Sequence, residues 1–229
     1  MKMTIERKIL LSLLNLTQEG PISKSLVSKD ARVPVQVADE VLAKFSTQGA
    51  VQLKNTIVEV SSNQRVKLAI RAIRLGADFE KACRALRWNE FESITAAAFL
   101  ANNFAVIKGF RFKHAGRRWE IDVIGCREPM VACVDCKHWR HGWGRSASVK
   151  AVEAQIERIK ALTRVLGSRQ ELGLTNWKKA TLIPVILSLI PAPLKFYKNT
   201  PIVPILKLPN FLNELPAHLN ALKTFPVRL

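Results

Sequence analysis

Two short runs carry the residues that could do chemistry: Trp119-Glu120-Ile121-Asp122-Val123-Ile124-Gly125 and Val131-Ala132-Cys133-Val134-Asp135-Cys136-Lys137. Each sets branched apolar residues against polar ones at every second place, with Gly and Pro between the runs, which is the pattern of two β-strands. Residues two apart on a strand point the same way, so Glu120 shares a face with Asp122, and Asp135 with Lys137. If the strands pair, three carboxylates and one ammonium converge beside apolar backbone. Charge in a half-buried sheet is costly unless it is paired or holds a metal. Carboxylate oxygens suit a hard divalent cation such as magnesium or manganese.

Charge points to what such a site would act on. The chain of 229 residues has a net charge of +18, spread unevenly. Residues 1–60 hold 8 Lys and Arg against 6 Asp and Glu, whereas the rest hold 28 against 12. The positive field therefore surrounds the carboxylates, which suits a polyanion with its phosphates on the cations and its reacting centre on a metal. An apolar content of 48% excludes a disordered chain. No apolar run is long enough to span a bilayer and no signal-peptide pattern opens the chain, so a cytoplasmic protein without membrane contact is expected. Cys133 and Cys136 have zinc-knuckle spacing. Three apart on a strand they face opposite sides and have no matching second pair, so all four cysteines, with Cys83 and Cys126, read as buried thiols.

The elements that position the two runs follow from periodicity. Residues 1–60 read as a winged helix-turn-helix. A helix near Thr4–Thr17 is closed by Gly20-Pro21, Ser23 caps a second, Pro34 opens a third, and Val51–Val60 forms a hairpin with Lys54-Asn55 near its tip. The third helix offers Gln36 and Lys44 but also Asp39 and Glu40, modest equipment for DNA. Residues 61–87 read as a helical linker whose Arg65, Lys67, Arg71 and Arg74 form a solvated face or follow a DNA backbone. From Trp88 onward the expected order is α-β-β-β-α-β-β-α. Glu92 lies beside the apolar stripe of the first helix, and Ser148 caps a helix reaching about Leu166. Pro184 marks its strand as an edge or a bulge. The result is an α/β protein, a mixed central sheet flanked by helices.

Glu92 on a helix, Asp122 on one strand and Asp135-Cys136-Lys137 on the next resemble the PD-(D/E)xK superfamily, with its restriction-endonuclease-like fold. The nearest likeness is to archaeal Holliday junction resolvases, Mrr-type enzymes and RecB-like nucleases. It covers residues 88–222, within a nuclease domain of residues 88–229; Ile121 stands where many members have Pro. The resemblance implies a metal-dependent DNA endonuclease, structure-specific and serving repair or recombination. Asp122, Asp135 and the Cys136 carbonyl would hold Mg2+ or Mn2+, with Glu92 as a further ligand or a water-mediated contact. Lys137 would orient the attacking water, and Gln155 stands where related members carry a functional glutamine. Arg111, Lys113, Arg117, Arg118, Arg140, Arg145 and Lys150 are the candidate DNA cations, with Trp139 and Trp143 able to stack on a base. Glu120 is a weaker ligand candidate, and His114, His138 and His141 read as polar surface. A homodimer would suit a symmetric substrate. With no P-loop, any helicase or ATPase would be a separate chain. The competing reading is a non-catalytic regulator that binds DNA through the winged helix and uses the nuclease fold as scaffold.

Overall fold

The computed structural model describes residues 2–138, 144–166, 172–174 and 176–229. The chain divides into two compact units, Met1–Ile94 and Thr95–Leu229.

In the first unit, α1 (Lys2–Leu16) buries Ile9, Leu10, Leu13 and Leu14. After β1 (Ile22–Ser23), Ser23 caps α2 (Lys24–Ala31) by accepting from the Leu26 N–H at 3.3 Å. Pro34 leads into α3 (Val35–Thr47), whose apolar side is Ala38, Leu42 and Phe45. The hairpin β2 (Gln52–Lys54) and β3 (Ile57–Glu59) turns through Asn55 at φ +54°, and β1 completes a three-stranded sheet in the order β1-β3-β2. A capping box of Ser61 and Gln64 starts α4 (Ser62–Arg74), and Asp78 caps α5 (Phe79–Arg84).

The segment expected to be a linker is instead part of this unit: α4 packs on α1 and buries Leu68, Ala69 and Ala72. Two of its four cations, Arg65 and Arg71, are engaged within the unit, while Lys67 and Arg74 are exposed. Arg65 is wholly buried. It donates to Glu90 Oε1 at 3.0 Å, Leu14 O at 2.9 Å, Thr17 Oγ1 at 2.6 Å and Ala85 O at 2.5 Å. Burial pulls the guanidinium below its ordinary pKa, and Glu90 opposes that shift. Arg71 pairs with Glu6, lies over the Phe45 ring and donates to Gln48. Helical spacing puts Val66, Ala69, Ile70 and Ile73 on one face of α4; of these Ala69 is buried and the other three are half-buried, because the buried face is shared with Arg65, Leu68 and Ala72.

The boundary between the units falls inside α6 (Trp88–Ala101), after Ile94 rather than before Trp88. The second unit is a mixed α/β fold. Its strands are β4 (Ala105–His114), β5 (Arg117–Arg127), β6 (Met130–Lys137), β7 (Lys179–Ser188), β8 (Phe196–Tyr197), β9 (Thr200–Pro204) and β10 (Phe225–Arg228). The seven-stranded sheet runs β4-β5-β6-β7-β9-β8, with β10 beside β7. Neighbours β4, β5 and β6 are antiparallel; β6, β7 and β9 are parallel. A parallel return needs a crossover, and between β6 and β7 that is α7 (Arg145–Thr163). It begins three residues ahead of the expected Ser148 cap, with Gly144 at the N-cap and Ser148 buried against its carbonyl. After β9, α8 (Leu208–His218) packs back on that strand.

Helices cover both faces of the sheet. Ile159 and Leu162 of α7 pack with Val131, Cys133 and Leu182. Phe99 of α6 lies against Gly125 on the other face, so close that a Cβ there would sit 2.2 Å from the ring. Pro184 is not on an edge strand. β10 borders β7 at residues 179–182 and β9 at 186–188, so Pro184 falls in the interval between them, where no ladder donor is required.

Two substitutions test this packing. Arg65→Met leaves Glu90 buried without its partner and should lower the urea-unfolding free energy by about 3–5 kcal/mol, with partial recovery in Arg65→Met/Glu90→Leu. Gly125→Ala forces the Phe99 ring aside and should cost about 1–3 kcal/mol in the same measurement.

Candidate functional site

The site begins where a ladder ends. The last paired residues of β5 and β6 are Val123 and Val134, and the next residue on each strand is a carboxylate, Asp122 and Asp135. Past that point the Cys136 N–H donates to Asp122 Oδ2 at 2.7 Å, so a side chain takes the place of a strand carbonyl. Opposite Asp122 on β4 stands Gly109 at φ +59°, a conformation that disfavours any residue with a side chain. β6 itself continues beside β7, pairing Asp135 with Ile186 and Lys137 with Ser188. Asp135 and Lys137 thus lie at the carboxyl ends of parallel strands, where open α/β sheets form their ligand crevices.

Asp135 is only 4% exposed, and two cations share it. Lys137 Nζ is 2.8 Å from Oδ2 and Arg158 of α7 is 3.1 Å from Oδ1. Gln155, one turn earlier on α7, is fully buried rather than on the helix surface. Its Nε2 donates to the Cys133 carbonyl at 2.7 Å and its Oε1 accepts from Arg158. The cluster therefore joins Asp122, Asp135, Lys137 and Gln155, all singled out in the sequence, with Arg158, which was not. The missed signal was spacing: Arg158 follows Gln155 by three, on the side of α7 that faces the sheet.

The remaining candidates lie elsewhere. Glu92 is half-buried on α6, one turn ahead of Thr95, and falls in the first unit. Glu120 is exposed and paired with Arg111 at 3.0 Å. Lys113 and Arg118 face each other across the β4–β5 ladder, and Arg117 lies 3.9 Å over the Trp119 ring. Arg111, Lys113, Arg118, Phe112, Trp119 and Glu120 line one groove of about 590 Å3. Arg145 and Lys150 are exposed in the first turns of α7, and His114 is half-buried at the end of β4. Trp139, Arg140, His141 and Trp143 lie outside the described residues. The histidine beside them, His138, is half-buried.

Asp122, Asp135 and the carbonyl chain beside them are hard oxygen donors, the type that Mg2+ and Mn2+ take. Among the described residues no group of three or more His, Cys, Asp and Glu is placed to hold a metal. Two carboxylates are nevertheless the number Mg2+ commonly draws from protein when phosphate oxygens and water complete its shell. The donor set fits a metal that arrives with a phosphate.

The thiols belong to the core. Cys136 Sγ lies 3.9 Å from Thr95 Oγ1, on the α6 side of the sheet, while Cys133 packs on the α7 side. Burial pushes Cys83 up to about 12 and Cys126 up to about 11, and holds Cys133 well above its ordinary value. None of these three is a thiolate at neutral pH.

Over 135 residues, 58% of its length, the chain is 30% identical to an uncharacterised protein of Archaeoglobus fulgidus, 95% of which it covers. The chain belongs to the family of that archaeal protein. No family model matches. The crystal structure of protein VC1899 from Vibrio cholerae aligns with a TM-score of 0.42 and 13% identity over 96% of this chain. It does so over 52% of the Vibrio protein, so the chain spans about half that protein's length.

The buried thiols give a direct check. Native protein at pH 8 should show no fast reaction of its four cysteines with a thiol reagent, and all four should react in denaturant; a fast thiol in the native state would overturn their burial.

Proposed function

We propose that the second unit is a restriction-endonuclease-like domain acting as a metal-dependent DNA endonuclease, and that the first unit is a winged helix. The observation that carries this reading is the pair Asp122 and Asp135 at the end of the β5–β6 ladder, with Lys137 2.8 Å from Asp135. Hard donors and an ammonium in one crevice match what phosphodiester hydrolysis asks of a protein. The charge of +18, concentrated after residue 60, supports a polyanionic substrate.

Asp122 and Asp135 would hold Mg2+ or Mn2+. When bound there, the ion supplies polarisation of the phosphate and a lowered pKa for water. Asp122 is held in orientation by the Cys136 N–H, a preorganised placement of one ligand. The Lys137 side chain is 23% exposed, and its Nζ would place a positive charge where negative charge develops on the phosphate oxygens. Lys113 and Arg118 on the β4–β5 hairpin, joined by Arg117, would grip the phosphate backbone away from the cut. Substrate structure specificity, in repair or recombination of branched, flap or junction DNA, is part of the proposal.

The regulator reading has one observation in its favour: both oxygens of Asp135 already have cationic partners, which would suit a carboxylate retired from metal binding. A substrate panel separates the two. Branched, flap and duplex DNA are incubated with the full chain and Mg2+ or Mn2+, with Asp135→Ala as control. Cutting should fall by about 10²-fold or more in Asp122→Ala, Asp135→Ala and Lys137→Ala, while DNA retention on a gel persists. Wild-type cutting by Asp122→Ala or Lys137→Ala would remove the site; retention without cutting on every substrate would favour the regulator.

A further inference from the structure

We propose that Arg158 is a placeholder cation, which neutralises Asp135 while no metal is held and must release Oδ1 before a divalent ion can take that carboxylate. The inference rests on the reading of Asp122 and Asp135 as a metal pair. Lys137 holds Oδ2 at 2.8 Å and Arg158 holds Oδ1 at 3.1 Å, so neither oxygen of Asp135 is without a cation. A metal–oxygen bond of about 2.1 Å cannot share an oxygen with a guanidinium at hydrogen-bond distance without bringing like charges together.

Of the two cations, Arg158 is the one built to leave. Lys137 is tethered two residues along the same strand, whereas Arg158 reaches across from α7. Arg158 also has a second acceptor, Gln155 Oε1, which keeps its hold when Asp135 is taken. That acceptor is fixed in direction, because the other end of the same amide donates to the Cys133 carbonyl at 2.7 Å. Release therefore loses one ion pair and leaves the side chain anchored. Among the described residues the Nε and the other terminal nitrogen of Arg158 have no partner, and the side chain is 20% exposed. A released guanidinium anchored this way has the planar donors that match a phosphate. The site then admits metal most readily when a polyanion is present to receive Arg158.

The test is Mn2+ binding to the full chain without DNA, read from the electron paramagnetic resonance of the free ion. Arg158→Met, which keeps much of the side-chain volume, should bind Mn2+ at least about 5-fold more tightly than wild type. Arg158→Lys, which keeps a cation near Asp135, should stay within about 2-fold of wild type. Unchanged or weaker binding by Arg158→Met overturns the inference, as does a wild-type chain and an Arg158→Met chain that both bind no Mn2+. Should Arg158→Met fail to fold, Arg158→Gln carries the same expectation. The same preparations are assayed for DNA cleavage, which separates the two readings. Tighter Mn2+ binding with no cleavage by any variant keeps the placeholder and removes the nuclease, and wild-type cleavage with unchanged Mn2+ affinity does the reverse.

Discussion

The second unit turns on one backbone donor. Where β5 and β6 part company after Val123 and Val134, the Cys136 N–H would be left without a strand acceptor, and Asp122 supplies one. A buried amide without a partner is costly, so the carboxylate is fixed by the same requirement that builds the sheet. The parting of the strands leaves a carboxylate on each, Asp122 and Asp135, just past the last rung. Gly109 on β4, with its positive φ, lets the third strand pass that point without a side chain. The site is thus an interruption in a ladder, held open by a hydrogen bond that replaces the missing rung.

Among the described residues, two ionic clusters of similar composition have opposite character. Arg65 and Glu90 are sealed, with guanidinium donors directed to the carbonyls of Leu14 and Ala85 and to Thr17, and the Arg87 N–H on Glu90. Every charge there is matched and none is accessible, which makes it a staple between distant segments. Asp135, Lys137 and Arg158 are matched as well, but both cations reach solvent and one has a second resting place on Gln155. A buried ion pair adds little stability over well-packed apolar residues. Valine, cysteine and isoleucine line the rest of these strands, so the ionic group is a poor choice for packing alone and a good one for chemistry.

How much of this was legible depended on the range of the forces. Asp122, Asp135 and Lys137 could be read because strand alternation is local, and so could the cap at Ser23. Arg65 could not: its acceptors lie up to 51 positions away, and a charged residue on a helix reads as solvated until those carbonyls are in place. Arg158 escaped for the same reason, and Gln155 was legible as a position but not as a buried amide. The short β10 was missed because its pairing with β7 is wholly non-local. That pairing also explains Pro184. A proline inside a strand argues for an edge, and the register supplies an internal equivalent of one, the interval between β10 and β9.

The charge distribution resolves further once partners are known. Arg111 is matched by Glu120, and Arg117 rests on the Trp119 ring, so the hairpin's cations are not equivalent. Lys113 and Arg118, facing each other near its tip, are the pair without a carboxylate opposite in the ladder. Arg118 and Asp122 lie on the same strand four residues apart, roughly 14 Å at the rise of an extended chain. Under the proposed reading β5 acts as a ruler between grip and cut, and the spacing is about that of four base-pair steps along a duplex. A cation moved along β5 would shift where the backbone is held relative to the carboxylates. Because Arg118 to Ile121 of β5 are laddered to β4, that distance is set by the sheet and not by loop conformation.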